Sequence, residues 1–187
     1  MKTAMLWGIV ALAACTGAQA IDGDPVAGMR KTVTCNACHG VSGFKSMPKL
    51  GGQSAGYIVE ALRAYKSGKR SHNTMRDVAG ALSERDIADL GAHYAAIPKA
   101  ARAAEATPPV VAERCVACHG AQGDQPAAPE IPILAGQNAA YAGQVLREYR
   151  EGSRVHEVMQ GQAHDLDDAQ IAEIIAYFAG RSTLSVK

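Results

Sequence analysis

The stretch CNACHG at residues 35–40 occurs a second time in the chain, as CVACHG at residues 115–120. A Cys-x-x-Cys-His run is the attachment motif of a c-type haem: both thiols bind the haem covalently, and the adjacent imidazole becomes an axial ligand of the iron. The two copies therefore predict two covalently bound haem c groups. The predicted covalent sites are Cys35, Cys38, Cys115 and Cys118, and the predicted proximal ligands are His39 and His119.

Other uses of paired cysteines fit this pattern less well. A thioredoxin-like Cys-x-x-Cys lies near a βαβ pattern, which this chain lacks. A zinc ribbon pairs two such knuckles across about 15–20 residues, whereas most of a domain separates Cys38 from Cys115. Plain disulfides would leave the repeated histidine unexplained. Zinc binding and disulfide pairing remain the alternatives to haem.

The repeat continues well beyond the two motifs. The offset between the halves is 80 residues at the motifs and 84 downstream, because the second copy has four additional residues between Gly120 and Pro132. The chain is therefore an internal duplication. The matching residues are Pro48, Leu50, Gly52, Gln53, Tyr57, Leu62, Tyr65, Gly68, Arg70, His72 and Met75 in the first half, and Pro132, Leu134, Gly136, Gln137, Tyr141, Leu146, Tyr149, Gly152, Arg154, His156 and Met159 in the second.

Hydrophobic periodicity and capping residues predict three helices in each half. A short helix leads into each haem motif, a second follows the Gly-Gln pair, and a third opens at a Ser or Asp suited to an N-cap. No segment alternates in the way expected of a strand. The predicted helices are Pro25 to Thr34, Tyr57 to Gly68 and one from Ser83, followed by Pro109 to Arg114, Tyr141 to Gly152 and one from Asp167.

These helices predict an all-α fold, and the duplication predicts two tandem domains with one haem motif each. The first domain is expected over residues 21–97 and the second over 109–187. Residues 98–108 are rich in alanine and bounded by prolines, which end helices and favour extended chain. We interpret this segment as the linker between the domains.

Residues 1–20 resemble a secretory signal peptide, with a basic start, a short apolar run and small residues. This segment predicts a periplasmic protein. Ala18-Gln19-Ala20 fits the cleavage pattern of a soluble product. The run Leu12 to Cys15 instead resembles a lipobox, in which Cys15 would carry a lipid anchor to the membrane. Both routes stay open.

Charge is distributed unevenly between the halves. Residues 21–98 contain 10 basic and 7 acidic side chains, whereas residues 105–187 contain 6 basic and 11 acidic ones. Such asymmetry can steer charged partners, and it favours acidic partners docking on the first domain. Nothing in the sequence resembles a nucleic-acid-binding footprint.

The second axial ligand of each haem is assigned by the duplication. Met159 is the one methionine after the second motif, and its counterpart in the first half is Met75. Met47 also follows the first motif but has no methionine partner. The predicted ligands are therefore Met75 and Met159, since a thioether is a soft ligand suited to iron(II). His72 and His156 are also paired by the duplication, so bis-histidine ligation is the alternative. If the methionines are the ligands, we expect His72 and His156 to be polar loop residues near the haem edge.

In its ordered motifs the sequence resembles the dihaem cytochrome c4 family. Both halves contain Cys-x-x-Cys-His-Gly, Pro-x-Leu-x-Gly-Gln, a tyrosine-bearing helix, Gly-x-Arg, a methionine and a final helix. The resemblance implies two tandem monohaem cytochrome c domains related by a pseudo-twofold axis, in a periplasmic and often membrane-associated protein. It also implies that the carbonyls of Pro48 and Pro132 hold the proximal imidazoles. Independently of the resemblance, Arg70 and Arg154 flank the paired histidines and could pair with haem propionates.

The function expected from this resemblance is electron transfer between respiratory-chain donors, such as a quinol-oxidising complex, and a terminal oxidase or other acceptor. If each iron has two protein ligands, no position remains for substrate, which favours a carrier over an enzyme. The alternative is the electron-accepting subunit of a periplasmic dehydrogenase, such as a flavocytochrome sulfide dehydrogenase. A dihaem peroxidase or thiosulfate dehydrogenase fits less well, because peroxidases of that type are longer and the thiosulfate enzymes use a cysteine ligand.

Overall fold

A computed structural model describes residues 22–40, 46–101, 104–181 and 184–185. The predicted signal peptide, with Ala18 to Ala20 and Cys15, lies outside the described residues. Within them, no helix is both long and apolar enough to cross a bilayer.

The described residues form α-helices and one 3₁₀ turn, without a strand. The single extended pairing among them is an isolated bridge between Gly51 and Ser185. The all-α prediction is therefore confirmed. The helices are α1 (Pro25–Lys31), α2 (Val33–His39), α3 (Ala55–Lys66), α4 (Asn73–Gly80), α5 (Glu84–Ala96), a 3₁₀ turn (Val110–Ala112), α6 (Glu113–His119), α7 (Ala139–Arg150), α8 (Glu157–Ala163) and α9 (Asp168–Ala179).

The capping signals place the longer helices correctly. Ser83 caps α5 and Asp167 caps α9, each in a complete capping box with the residue three positions later. Gly68 and Gly152 follow α3 and α7 at φ of 78° and 77°, a left-handed conformation that glycine adopts without strain. Capping and termination are local effects, so a single sequence suffices to locate them.

The helix before the first haem motif ends earlier than predicted. Both the backbone N–H and the hydroxyl of Thr32 donate to the carbonyl of Met29, at 3.3 and 2.8 Å, which closes α1 after Lys31. A new helix, α2, then contains the motif itself. In the second half a 3₁₀ turn replaces α1, and the motif again lies on a helix, α6.

Two helices, α4 and α8, were missed by the sequence analysis. Their N-caps are His72 and His156, whose Nδ1 atoms accept from the backbone N–H groups of Met75 and Met159 at 3.2 and 3.3 Å. Both histidines are exposed and lie just outside the helices, as the last loop residue before each, but the helices that they cap were not predicted. Histidine is not among the preferred N-cap residues, which is why the signal was overlooked.

Each half has an apolar core, and the two cores share the equivalent pairs Leu90 with Ile174 and Tyr94 with Phe178. In the first half Ile58, Leu90 and Tyr94 form the buried cluster, and Cys35 packs against it. The second half has a larger cluster, against which Cys115 packs. Its buried members are Ala112, Ala163, Leu166, Ile171, Ile174, Tyr177 and Phe178. The first motif cysteine in each half is thus fixed by the core.

Ion pairs and hydrogen bonds to Asp89 hold α1, the N-terminal helix of the first half, against α5. The carboxylate of Asp89 is only 2% exposed and accepts from Lys31 Nζ at 2.7 Å, Arg85 Nε at 3.0 Å and the Asp24 N–H at 2.8 Å. Lys31 also pairs with Asp86 at 2.7 Å. The counterpart of Asp89 in the second half is the exposed Glu173, and there Ala112 of the 3₁₀ turn belongs to the apolar core instead.

The two halves contact one another at several places. The C-terminal segment returns to the first half, where Ser185 and Gly51 exchange backbone hydrogen bonds of 2.9 and 3.1 Å. Lys49 Nζ donates to the carbonyl of Gly136 at 2.7 Å, and the Ser54 hydroxyl donates to the carbonyl of Pro129. The halves therefore form one connected structure.

Replacing Asp89 with Asn is expected to lower the melting temperature at neutral pH, because Lys31 and Arg85 would face a neutral amide. The hydrogen bond from Lys31, together with that from the Asp24 N–H and the charge of Arg85, lowers the pKa of Asp89. A lowered pKa gives stability that is complete above the ordinary aspartate pKa of about 4 and is lost as the pH falls through the folded-state pKa.

The stability difference between the wild-type protein and Asp89→Asn should therefore shrink below about pH 4. Thermal unfolding followed by circular dichroism across this pH range measures it, with Glu173→Gln as the matched control in the second half. An Asp89→Asn protein as stable as the control variant at pH 7 would contradict the role of this ion pair.

Candidate functional site

The four motif cysteines lie on equivalent helices. Cys35 and Cys38 are on α2, and Cys115 and Cys118 are on α6. None of the four is paired in a disulfide. Burial raises the pKa of the Cys35 thiol and raises that of Cys115 to about 11. Before a haem is attached, the first thiol of each pair would therefore be neutral at physiological pH, and its side chain packs against an apolar core.

The histidine of each motif is held by a proline carbonyl. His39 Nδ1 lies 3.1 Å from the carbonyl oxygen of Pro48, and His119 Nδ1 lies 2.8 Å from that of Pro132. Because a carbonyl can only accept, Nδ1 of each ring carries the proton. The lone pair is therefore on Nε2, the nitrogen left to bind a metal.

The same environment keeps both rings neutral. Burial lowers the pKa of His39 and of His119, and the proline carbonyls only partly offset this shift. His119 is 6% exposed. A neutral imidazole with a fixed tautomer is the form that ligates metals.

Met75 and Met159 occupy equivalent positions, at the third residue of α4 and of α8. Both side chains are half-buried. The histidine caps fix the backbone at each methionine, and His72 and His156 also pack edge-on against Tyr65 and Tyr149, with ring centroids 6.2 and 6.3 Å apart. Met47, by contrast, lies in the loop before Pro48.

A tyrosine–arginine cluster lies where the two halves meet. Arg70 of the first half donates to the Tyr141 hydroxyl of the second half at 2.8 Å. Arg70 also stacks 4.4 Å from the centroid of the Tyr65 ring, and Arg154 stacks 5.0 Å from that of Tyr149. Sequence reasoning paired the arginines with haem propionates and missed the tyrosines as their partners, including Tyr141 across the interface.

These donor sets fit covalently attached haem better than they fit the alternatives. Each half supplies two thiols against an apolar core and an imidazole with a free Nε2, and a methionine occurs at the same position of an equivalent helix. Within the described residues, no group of three or more His, Cys, Asp or Glu side chains is placed to hold a metal ion. The two motifs do not combine into a zinc site of that kind.

Comparison with known proteins agrees with this chemistry. The family model described as cytochrome c matches residues 104–181. Cytochrome c4 of Pseudomonas aeruginosa is 32% identical over 187 residues, covering 88% of this chain and 92% of the relative. A thiosulfate dehydrogenase electron acceptor of Stutzerimonas stutzeri is 31% identical, covering 93% of each chain.

A solved structure shows the same arrangement of both halves. The crystal structure of reduced recombinant cytochrome c4 from Pseudomonas stutzeri superposes with a TM-score of 0.73 at 28% identity, covering 85% of this chain and 99% of that one. The all-α fold is thus that of two tandem cytochrome c domains. The protein is an electron carrier with two covalently bound haem c groups, and its chain belongs to the cytochrome c4 family.

Proposed function

We propose that this protein carries electrons in the periplasm, between a quinol-oxidising complex and a terminal oxidase or another acceptor. The observation that supports this most is the repetition of a complete ligand set. Each half has an imidazole whose Nδ1 is bonded to a proline carbonyl and a methionine at the third position of a histidine-capped helix.

The residues that would hold the two haems follow from this repetition. Each haem iron would gain and lose one electron when bound. The proposed covalent sites are Cys35 and Cys38 in the first half and Cys115 and Cys118 in the second, and the proposed axial ligands are His39 with Met75 and His119 with Met159.

With these ligands, electrons would pass to and from each haem without a substrate binding to the iron. An imidazole and a thioether would occupy both axial positions, so no substrate could bind to the metal. Methionine also favours the reduced state and raises the reduction potential relative to bis-histidine ligation. The proline carbonyls fix the orientation and the tautomer of His39 and His119.

The contacts between the halves support passage of electrons from one site to the other. The Arg70–Tyr141 hydrogen bond crosses the interface between the two halves. Backbone pairing between Gly51 and Ser185 adds a second connection. A fixed relation between the two sites keeps the distance for electron transfer constant.

A second candidate is the electron-accepting partner or subunit of a periplasmic dehydrogenase. A flavocytochrome sulfide dehydrogenase is one such enzyme. The specific observation that favours this class is the 31% identity with the thiosulfate dehydrogenase electron acceptor of Stutzerimonas stutzeri, over 93% of both chains. Thiosulfate oxidation is accordingly a candidate source of electrons.

Replacing Met159 with Ala is expected to remove the near-infrared thioether-to-iron charge-transfer band of one haem and to lower the reduction potential of that haem. The other haem should keep its band and its potential, because Met75 serves it. Optical spectra and a redox titration of the holoprotein measure both effects.

The matched control is His156→Asn. Asparagine is a good N-cap, so this variant should keep α8 in place and retain both charge-transfer bands. If Met159→Ala kept both bands, the assignment of Met159 as a ligand would be wrong. Bis-histidine ligation would be favoured instead if the wild-type protein lacked these bands and His156→Asn changed the spectrum of one haem.

Purification of the native protein from its own membranes, in mild detergent, distinguishes the two functions. A carrier is expected as a free dihaem protein without a stoichiometric companion, whereas a dehydrogenase subunit would copurify with its flavoprotein or catalytic chain. The mass of the mature N-terminus, measured on the same sample, decides between cleavage after Ala20 and lipidation of Cys15.

A further inference from the structure

One peptide group connects the histidine of the second motif to a residue of the first half. The carbonyl of Pro132 accepts from His119 Nδ1 at 2.8 Å, while the N–H of Ile133, in the same peptide group, donates to Gln53 Oε1 at 2.7 Å. A peptide group is planar and nearly rigid. A displacement of its N–H end is therefore transmitted to the carbonyl that holds the histidine.

The mirror arrangement exists at the other motif. The carbonyl of Pro48 accepts from His39 Nδ1 at 3.1 Å, and the N–H of Lys49 donates to Gln137 Oε1 at 2.8 Å. Gln53 and Gln137 are counterparts in the duplication, so each half supplies a glutamine to the proline–histidine pair of the other.

Both glutamines are held in place by further bonds. Gln53 Nε2 donates to the carbonyl of Ile133 at 3.0 Å, and Gln137 Nε2 donates to that of Lys49 at 3.1 Å. Each Oε1 also accepts the N–H of the following residue, Ser54 or Asn138, at 2.8 and 2.7 Å.

The burial of these side chains makes their hydrogen bonds costly to lose. Gln53 is 2% exposed and Gln137 is 8% exposed. A buried amide without partners costs free energy. The two side chains therefore have a single satisfied arrangement, and that arrangement requires the opposite half.

We propose that Gln137 is a positioning residue for His39, and Gln53 a positioning residue for His119, each acting on the haem site of the opposite half. This inference rests on the proposed function, since it takes both histidines to be iron ligands. When the two domains pack together, each therefore supplies one hydrogen-bond acceptor to the haem site of the other.

The linked hydrogen bonds predict the sign of the change in reduction potential when the glutamine is lost. An acceptor on the N–H of a peptide group polarises its carbonyl, because linked hydrogen bonds strengthen one another. A stronger carbonyl acceptor makes the histidine a more basic ligand, which stabilises iron(III). Loss of the glutamine should weaken the hydrogen bond between the proline carbonyl and the histidine, and so raise the reduction potential of the opposite haem.

The test is a pair of mirrored variants, Gln137→Met and Gln53→Met, studied as holoproteins. Methionine has a similar length but cannot form the bonds to the peptide group. Gln137→Met should raise the potential of the first-half haem more than that of the second, and Gln53→Met should show the reverse. The haem altered by Met159→Ala identifies which potential belongs to the second half.

Ser54→Ala is the matched control for general weakening of the interface. It removes the bond to the Pro129 carbonyl across the interface, but neither motif histidine depends on that bond. Its potentials should equal those of the wild-type protein. Gln137→Glu, which retains an acceptor for the Lys49 N–H, should not raise the first-half potential.

Each outcome decides the proposal. Crossed shifts, with the control unchanged, support it. Shifts confined to the variant's own half, equal shifts of both haems, or unchanged potentials overturn it while leaving the carrier function intact. If the wild-type protein showed no methionine-ligated haem at all, the proposed function itself would fail instead.

Discussion

The turn between each proline and the following helix is the constraint on which the rest of the structure depends. Gly52 and Gly136 adopt φ of 80° and 74°. Their N–H groups donate to the backbone carbonyls of Tyr94, at 2.8 Å, and Phe178, at 2.9 Å, near the ends of α5 and α9. The next residue of each turn is the glutamine that crosses to the other half. A single turn thus joins the haem-binding loop, the domain core and the domain interface.

The duplication conserves this turn but not the means of holding the N-terminal segment. In the first half, the Lys31–Asp89 ion pair attaches α1 to α5. In the second half, Ala112 is fully buried in the apolar cluster and Val111 packs against it. The two domains therefore have equivalent sites but different electrostatic responses, and acid should weaken the first domain preferentially through Asp89.

The sequence was sufficient for the features that are local or repeated. The haem motifs, the capping boxes at Ser83 and Asp167 and the pairing of Met75 with Met159 needed only spacing and residue type. It was not sufficient for the histidine caps, since histidine rarely signals a helix start. The partners of Gln53 and Gln137 could not be found either, because they are backbone atoms 80 and 88 residues away and carry no side-chain signature.

We propose that each half of this chain holds one haem between a histidine and a methionine. The most direct test is a spectroelectrochemical titration of the native holoprotein, with electrons counted per chain and the near-infrared charge-transfer band followed in parallel. We expect two one-electron couples, each accompanied by loss of a thioether-to-iron band on reduction. Uptake of a single electron per chain, or a band at only one couple, would contradict the claim.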